Sequence, residues 1–420
     1  MAERDRGGNE MLVERRTARA LLALVTMIAS SGLAAGGTAG SLLGAEMAGT
    51  DALAGLPLGL LVIGSGAMAL IMTRLVSRIG WGRSLMLGYI LGATGAMLVM
   101  GAAAASSFSG LLMGSVLLGA ANASVFLTRY AAAALAGEAE KGRALGTIFF
   151  ATAIGAVASP GLLGPSGALA HAVGLPRLSG LYVVAVASFA AAALLLALMS
   201  HPTVPYVGRG AALLGPGSSV PVTRHEIASG LKASPAKAAL TILAVTNFAM
   251  VAIMTIAPVH LAAMSHDLQL SGVIVSLHVA GMFVLSPITG WLADRAGPMT
   301  IAVAGLSLLL VSCGVGVLVG QPTTFSMAMM LIILGMGWNC GVVGASALLA
   351  SSVLPTLRPH VEGIGEATMS LAAAVGAPIA GIITALAGLP ALSLAGATVV
   401  MLTLVFVRPP LQRHAKPVMP

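Results

Sequence analysis

The succession of apolar segments is the feature that most constrains this chain. Twelve stretches of membrane-spanning length follow one another, and one long polar stretch, residues 200–236, separates six from six. A helix needs about 20 apolar residues to cross a bilayer, and only helices or closed barrels satisfy all backbone polar groups there. We therefore predict an all-α integral membrane protein. The predicted spans are approximately 20–43, 55–73, 84–105, 109–134, 144–165, 178–199, 237–260, 270–292, 299–319, 324–350, 363–386 and 390–408.

Composition supports this class and excludes others. Of the 420 residues, 58% are hydrophobic and only 8% are charged, which is too apolar for a soluble core. Both cysteines, Cys313 and Cys340, lie in apolar stretches, so we predict no disulfide framework and no structural zinc site. No phosphate-binding loop of the Gly-x-x-x-x-Gly-Lys-Ser/Thr kind occurs, so we expect neither ATP hydrolysis nor a cofactor.

The basic residues predict the orientation. With the N-terminus in the cytoplasm, all but two of the 21 lysines and arginines fall on the cytoplasmic side, the exceptions being Arg129 and Arg177. The net charge of +8 is then an orientation signal, and not a surface for nucleic acid. We expect a multi-pass protein of the plasma or inner membrane with both termini cytoplasmic. Its predicted parts are a tail 1–19, a first half 20–199, a cytoplasmic linker 200–236, a second half 237–408 and a tail 409–420.

The loop Gly290-Trp-Leu-Ala-Asp294-Arg295-Ala-Gly297 joins two apolar runs. It resembles the signature Gly-x-Leu-Ala-Asp-Arg-x-Gly of the major facilitator superfamily, between the second and third helix of a six-helix half. A carboxylate can stabilise a neighbouring helix N-terminus, and a guanidinium can clamp a facing carboxylate or helix C-terminus. We predict a gating loop at these four residues. The alternative is an ordinary charged turn.

An internal repeat accompanies this loop. At an offset of 217 residues, Gly80 falls on Gly297, Asn122 on Asn339 and Gly146 on Gly363. Such coincidences favour a duplicated unit, and the resemblance implies two pseudo-symmetric halves with a substrate site between them near mid-membrane.

The first-half copy of the loop departs from the family pattern. Thr73 stands where the family glycine belongs, and Ser77 where the aspartate belongs, although Arg74 and Arg78 remain. We therefore assign most of the gating role to the second-half loop.

Span four carries Ser115, Asn122 and Arg129 at seven-residue intervals, so these side chains share one helix face. The family often has an arginine in the outer half of this helix, tied to proton coupling, and here Ser115 stands at that position. Polar side chains in a membrane face protein or a water-filled cavity. Arg129 therefore either takes a direct part in the function of the protein, or it has a structural role as a snorkelling side chain or an interhelical clamp.

Span five carries a proline, Pro160, that is predicted to bend the helix. Its surroundings, from Gly155 to Gly164, loosely resemble an exporter signature, with Ser159 and Leu163 replacing glycines. The resemblance favours export. A packing kink without bearing on direction is the alternative.

The second half offers four further cavity candidates. Asn247 and Met254 lie near one face of span seven, and Trp338 and Asn339 lie within span ten. A methionine wall adapts to varied ligands. Asn339, like its repeat partner Asn122, has the alternative of bonding across helices.

Two acids and two histidines are the proton-coupling candidates. Glu362 and Glu366 begin span eleven one helical turn apart, and a carboxylate buried at such a site can take up and release a proton. Capping of the helix N-terminus is the alternative for both. His260 and His278 are the other candidates, since imidazole titrates near neutrality. Together with His266 and Asp267 they fix no coordination geometry, and we predict no metal site.

The resemblance implies secondary active transport by alternating access, and no enzyme. Because the spans hold few charges, we expect the solute to be an apolar or weakly polar small molecule. We expect a monomer in the lipid bilayer to export it by proton-coupled efflux. Proton-coupled uptake of a neutral nutrient is one alternative. A non-transporting membrane receptor or a membrane enzyme is another.

Overall fold

The computed structural model describes residues 2–49, 53, 55–158, 162–172, 174–199, 222–264, 268–318 and 323–407. These residues form α-helices joined by turns, and no strand occurs among them. In chain order the helices are α1 (Ala2–Ala48), α2 (Leu56–Ala104), α3 (Phe108–Leu135), α4 (Lys141–Ala158), α5 (Leu163–Ala172), α6 (Gly180–Met199), α7 (Arg224–Lys232), α8 (Ser234–Met264), α9 (Leu268–Phe283), α10 (Ser286–Ala296), α11 (Pro298–Leu318), α12 (Thr324–Ser352) and α13 (Arg358–Phe406).

Within the described residues, nine helical stretches are long and apolar enough to cross a membrane. Two of them, α2 and α13, have 49 residues each, about twice the length that one crossing needs. Each contains a single non-helical residue, Gly80 (φ 84°) in α2 and Gly388 (φ 77°) in α13. The prediction of a ten-residue loop at 74–83 is therefore wrong. Glycine adopts positive φ without steric cost, so one residue suffices to break the helix.

The same backbone conformation recurs at the offset of the sequence repeat. Gly297, which follows α10, has φ 92°, and it corresponds to Gly80 in the first half. Both glycines end a helix that approaches the same end of the bundle.

One predicted span is divided, and another is described only in part. The stretch predicted as one span at 270–292 is divided into α9 and α10, and Pro287 lies in the first turn of α10, where its missing N–H is tolerated. In span five, α4 ends at Ala158 and α5 begins at Leu163, while the predicted bend at Pro160 lies outside the described residues.

Part of the predicted linker is helical. Thr223 accepts a hydrogen bond from the Glu226 backbone N–H, and the Glu226 carboxylate accepts one from the Thr223 backbone N–H, which starts α7 with a capping box. These hydrogen bonds hold the pKa of Glu226 below its usual value. The following span begins at Ser234, three residues earlier than predicted.

The buried apolar residues form two clusters, one mainly in each half. The first joins α1, α2, α3, α4 and α6, and the second joins α8 with α11, α12 and α13 and also includes Phe149 and Ala153 of α4. Arg78, Lys141, Arg295 and Arg358 lie where successive helices reverse at one end of the bundle, which we call the basic end. The opposite end contains the reversal at residues 104–108. The halves meet most extensively where α4 packs on α10 and α2 packs on α13.

Candidate functional site

A buried ion pair joins the two halves. Arg129 of α3 donates from Nη2 to Oε2 of Glu366 in α13 over 2.8 Å, and the two side chains are only 1% and 4% exposed. An arginine cannot lose its charge under ordinary conditions, so its burial requires a fixed partner. Glu366 supplies that partner from 237 residues further along the chain.

Aromatic rings and a carbonyl enclose the Arg129 guanidinium. Its Cζ lies 4.5 Å from the ring centroid of Tyr130 and 5.3 Å from that of Phe149. Its Nη1 donates to the Phe126 carbonyl oxygen over 2.8 Å. The Tyr130 hydroxyl also lies 3.3 Å from the Ser346 Oγ of α12, which adds a second polar contact between the halves. These contacts hold Arg129 in the protein interior, and it does not snorkel.

A cavity of about 250 Å³ lies between the halves beside this pair. Its walls come from both halves and are mainly aliphatic, and Leu58, Leu61 and Val62 place one side of it near the opposite end. Five residues with polar groups also line it: Asn122, Asn247, Trp338, Glu366 and Ser370. Glu366 thus contacts both the cavity and Arg129.

A short hydrogen-bond chain fixes the second-half wall. The Trp338 Nε1 donates to Asn247 Oδ1 over 3.0 Å, and Asn247 Nδ2 donates to the Met369 carbonyl oxygen over 2.7 Å. Trp338 also packs edge-on against Phe149 and Phe283, with centroid distances of 5.9 and 5.5 Å. The asparagine and the indole are therefore held in one orientation toward the cavity.

The Asp294 carboxylate joins the halves at the basic end. Its Oδ1 accepts from the Gly142 backbone N–H over 2.6 Å, and its Oδ2 accepts from the Arg143 N–H over 2.9 Å. Gly142 and Arg143 begin α4, so the carboxylate caps a helix N-terminus of the other half. The Arg143 Nε lies 4.0 Å from Oδ2 and adds a weaker charge contact.

Small residues allow the halves to approach closely at this cap and where α2 packs on α13. A Cβ on Gly290 would collide with the backbone oxygen of Gly142, and one on Gly363 would collide with the Thr73 side chain. The threonine that replaces the family glycine in the first-half loop therefore fits against a glycine of α13.

Comparison with known proteins decides the family. The family model described as Major Facilitator Superfamily matches residues 20–355 and 238–419. The chain belongs to this superfamily. It is 32% identical over 378 residues to the uncharacterized MFS-type transporter YdeG of Bacillus subtilis, with 90% of this chain and 87% of the relative aligned. YddS of the same organism, also named an uncharacterized MFS-type transporter, is 31% identical, with 91% and 88% aligned.

The fold agrees with solved structures of the superfamily. A bacterial homologue of the iron transporter ferroportin, crystallised in an outward-facing state, superposes with a TM-score of 0.73 over 93% of this chain and 98% of that one, at 14% identity. The predicted all-α membrane fold of the major facilitator superfamily is thus confirmed, and the protein is a multi-pass membrane transporter by family.

Three members of the predicted gating loops lie apart from the Asp294 contact. The Arg295 guanidinium stacks over the Trp291 ring, with Cζ 5.4 Å from the centroid, instead of clamping a facing carboxylate. Arg74 and Arg78 have exposed side chains. Among the described residues neither makes an ion pair.

Other predicted site residues lie beside the cavity or away from it. Asn122 lines the cavity and donates to Ser65 Oγ over 2.8 Å. Asn339 instead bonds across helices to the Met282 carbonyl oxygen over 2.6 Å, and Met254 packs in the second-half core. His278 Nδ1 lies 2.7 Å from the Leu331 carbonyl oxygen, in hydrogen-bonding range.

The histidine candidates are described only in part. His260 belongs to α8, but its side chain lies outside the described residues, as do His266 and Asp267. Among the side chains that the structure does describe, no three of His, Cys, Asp or Glu are grouped as metal ligands would be.

Several residues that join the halves were not among the sequence-based candidates. The backbone N–H groups of Gly142 and Arg143 donate to the Asp294 carboxylate, and the Tyr130 hydroxyl lies beside the Ser346 Oγ. Lys141 is buried, and its Nζ lies 3.4 Å from the Ala350 carbonyl oxygen. The one available signal was their position, since these residues flank or lie within the predicted spans four and five.

Proposed function

We propose that this protein is a proton-coupled secondary transporter that exports an apolar or weakly polar small molecule by alternating access, as a monomer. The observation that carries the proposal is the double role of Glu366. Its carboxylate lines the central cavity and also holds Arg129 of the other half at 2.8 Å. A proton or a solute that reaches the cavity therefore acts on a contact between the halves.

The chemistry of the step follows from the buried pair. A proton on Glu366 removes the negative charge that compensates Arg129, and a desolvated guanidinium without a counter-charge is costly. Neutralisation thus weakens one of the contacts that join α3 to α13. Return of the proton to water restores the pair. This supports Glu366 as the coupling residue and Arg129 as its counter-charge.

The position of Glu362 supports a proton route that leads from Glu366 toward the basic end. It lies one turn before Glu366 in α13, and its side chain is buried. We propose that Glu362 accepts the proton next.

The cavity walls support a weakly polar solute. Aliphatic and aromatic side chains predominate, and the polar groups are amides, an indole N–H, a hydroxyl and a single carboxylate. Such walls bind apolar surface favourably and offer hydrogen-bond partners to only a few polar atoms. A highly charged solute would leave its charges without partners.

The charge distribution supports the proposed orientation. With the basic end in the cytoplasm, the Asp294 cap closes the cytoplasmic side, and the cavity lies toward the outside. This arrangement is then an outward-facing state of the transport cycle, with both termini in the cytoplasm.

Proteoliposomes with an interior pH dye test the proposal. Solutes are added from a panel of neutral aromatics, weak bases and neutral sugars, and proton flux is followed in both directions of the imposed gradient. Glu366→Gln should abolish solute-driven proton flux and uphill transport yet keep solute exchange at equilibrium. Glu226→Gln, an exposed carboxylate on α7, is the matched control. Uphill transport by Glu366→Gln would refute the coupling role, and inward accumulation would favour uptake of a nutrient.

A further inference from the structure

A second cavity of about 280 Å³ lies near the basic end, between α1 and α4 of the first half. Arg16 and Arg19 reach it from α1, and Arg143 reaches it from the first turn of α4. Three guanidiniums thus surround one space. Each offers several N–H donors in a planar fork that matches the oxygens of a phosphate.

The floor of this cavity is apolar. Ala144 and Ile148 of α4 are buried beneath it, and Ala132 of α3 completes the floor. Arg143 and Ile148 are five residues apart, which is about 7–8 Å along the helix. The cavity therefore has a cationic part at its mouth and an apolar part deeper along α4, as an amphiphilic ligand requires.

The position of the cavity matches a membrane interface. Arg16 and Arg19 belong to α1 and lie just before the apolar stretch predicted as span 20–43, at the basic end. Arg16 is exposed, and Thr147 is exposed on the same side of α4. Anionic headgroups collect at this depth on the cytoplasmic face, where they attract basic side chains.

Two carboxylates lie near the arginines and do not fill the site. Glu140 Oε2 is 3.3 Å from Arg19 Nη1, and Asp294 Oδ2 is 4.0 Å from Arg143 Nε. Asp294 is held mainly by backbone N–H groups, and the Arg143 side chain is 51% exposed, so its guanidinium keeps donors for another anion.

We propose that this second cavity, which we call the groove from here on, binds an anionic phospholipid. The phosphate lies among the guanidiniums of Arg16, Arg19 and Arg143, and the glycerol and acyl chain lie on the apolar floor beside α4. The site is separate from the central cavity and from the Glu366–Arg129 pair. It assigns a lipid partner to the first half of the transporter.

Native mass spectrometry of the delipidated full-length protein in neutral detergent tests this site. Phosphatidylglycerol is titrated in, with phosphatidylcholine, glycerol 3-phosphate and inorganic phosphate as comparisons. The triple variant Arg16→Gln, Arg19→Gln, Arg143→Gln should bind phosphatidylglycerol about tenfold more weakly than the wild type. Phosphatidylcholine should bind weakly to both.

A matched triple variant removes the same charge from the same end of the bundle. Arg83→Gln, Lys232→Gln, Lys237→Gln changes three exposed basic residues outside the groove and should keep phosphatidylglycerol binding within about twofold of the wild type. Equal losses in both triple variants would overturn the proposal, because the attraction would then be spread over the surface. Equal affinity for inorganic phosphate, or for phosphatidylcholine, would also overturn it, since the ligand would be a free anion or any lipid.

Thr147→Trp tests the groove with all charges kept. The indole would occupy the space above the apolar floor, so phosphatidylglycerol binding should fall while inorganic phosphate binding stays unchanged. This variant decides the question if the triple arginine variant fails to fold. Unchanged phosphatidylglycerol binding in Thr147→Trp would contradict an acyl chain on this floor.

Discussion

The Arg129–Glu366 pair should give a large, non-additive signal in a double-mutant cycle. Glu366→Gln leaves a guanidinium that is 1% exposed and cannot lose its proton, whereas Arg129→Met leaves a carboxyl that can take one up. Removing one partner of a buried pair costs about 3–5 kcal/mol of unfolding free energy. We expect Glu366→Gln near the upper limit and Arg129→Met near the lower.

The double variant Arg129→Met, Glu366→Gln should be more stable than Glu366→Gln. It leaves no uncompensated charge, and replacement of a whole buried pair by groups of similar volume is often close to neutral. The loss of the guanidinium contacts with Tyr130 and Phe149 should leave a residual cost of about 1–2 kcal/mol. The coupling energy of the cycle should then exceed about 2 kcal/mol.

Reversible unfolding in mixed micelles, followed by helix content, measures the four free energies. Glu226→Gln serves as the control, because its carboxylate is exposed on α7 and its removal should leave the unfolding of the bundle unchanged. Additive effects of the two single changes would refute the reasoning. So would single-variant losses below about 1 kcal/mol, since they would show that water reaches the pair.

Three further changes test the closed basic end and the cavity wall. Gly290→Ala places a methyl against Gly142, so labelling of a cysteine introduced at the basic end should increase and transport should slow, whereas Gly59→Ala, which meets nothing within 4 Å, should do neither. Asp294→Asn weakens the helix cap by about 0.3–1 kcal/mol and should slow cycling without loss of folding; unchanged transport rates would remove its gating role. Trp338→Phe keeps an aromatic ring but removes the N–H donor to Asn247. It should lower the free energy of unfolding by about 1–3 kcal/mol and weaken solute binding in equilibrium titration. If both values stay unaltered, the indole N–H has no such role.

The membrane class and the site candidates could be predicted, but not the contacts between candidates. Arg129 and Glu366 each stand out because a charge in an apolar span requires a reason. Periodicity assigns each to a helix face without identifying the facing residue, and 237 residues separate them. Asp294 was expected at a helix N-terminus, while the choice of α4 depends on how the halves pack.

Helix boundaries and hydrogen-bond partners were harder to predict for local reasons. Polar and basic residues at 74–83 are typical of a loop, yet the helix is broken at Gly80 alone, because one positive φ is enough. Asn122 and Asn339 occupy equivalent positions in the repeat, but only Asn122 lines the cavity. The wall beside Asn339 is taken by its neighbour Trp338, and sequence alone does not show which of two adjacent residues faces inward.

Two kinds of contact hold the halves together, and they respond to different events. At the basic end, the Gly142–Gly290 contact and the Asp294 cap lie away from the residues that line the central cavity. The Arg129–Glu366 pair depends on charge, and its Glu366 carboxylate lines that cavity. Because α13 carries both Glu366 and Gly363, which packs on Thr73, a shift of α13 that follows neutralisation of Glu366 also disturbs the small-residue contact one turn away. In the proposed cycle, the continuity of this one helix would link a proton step in the cavity to opening at the basic end.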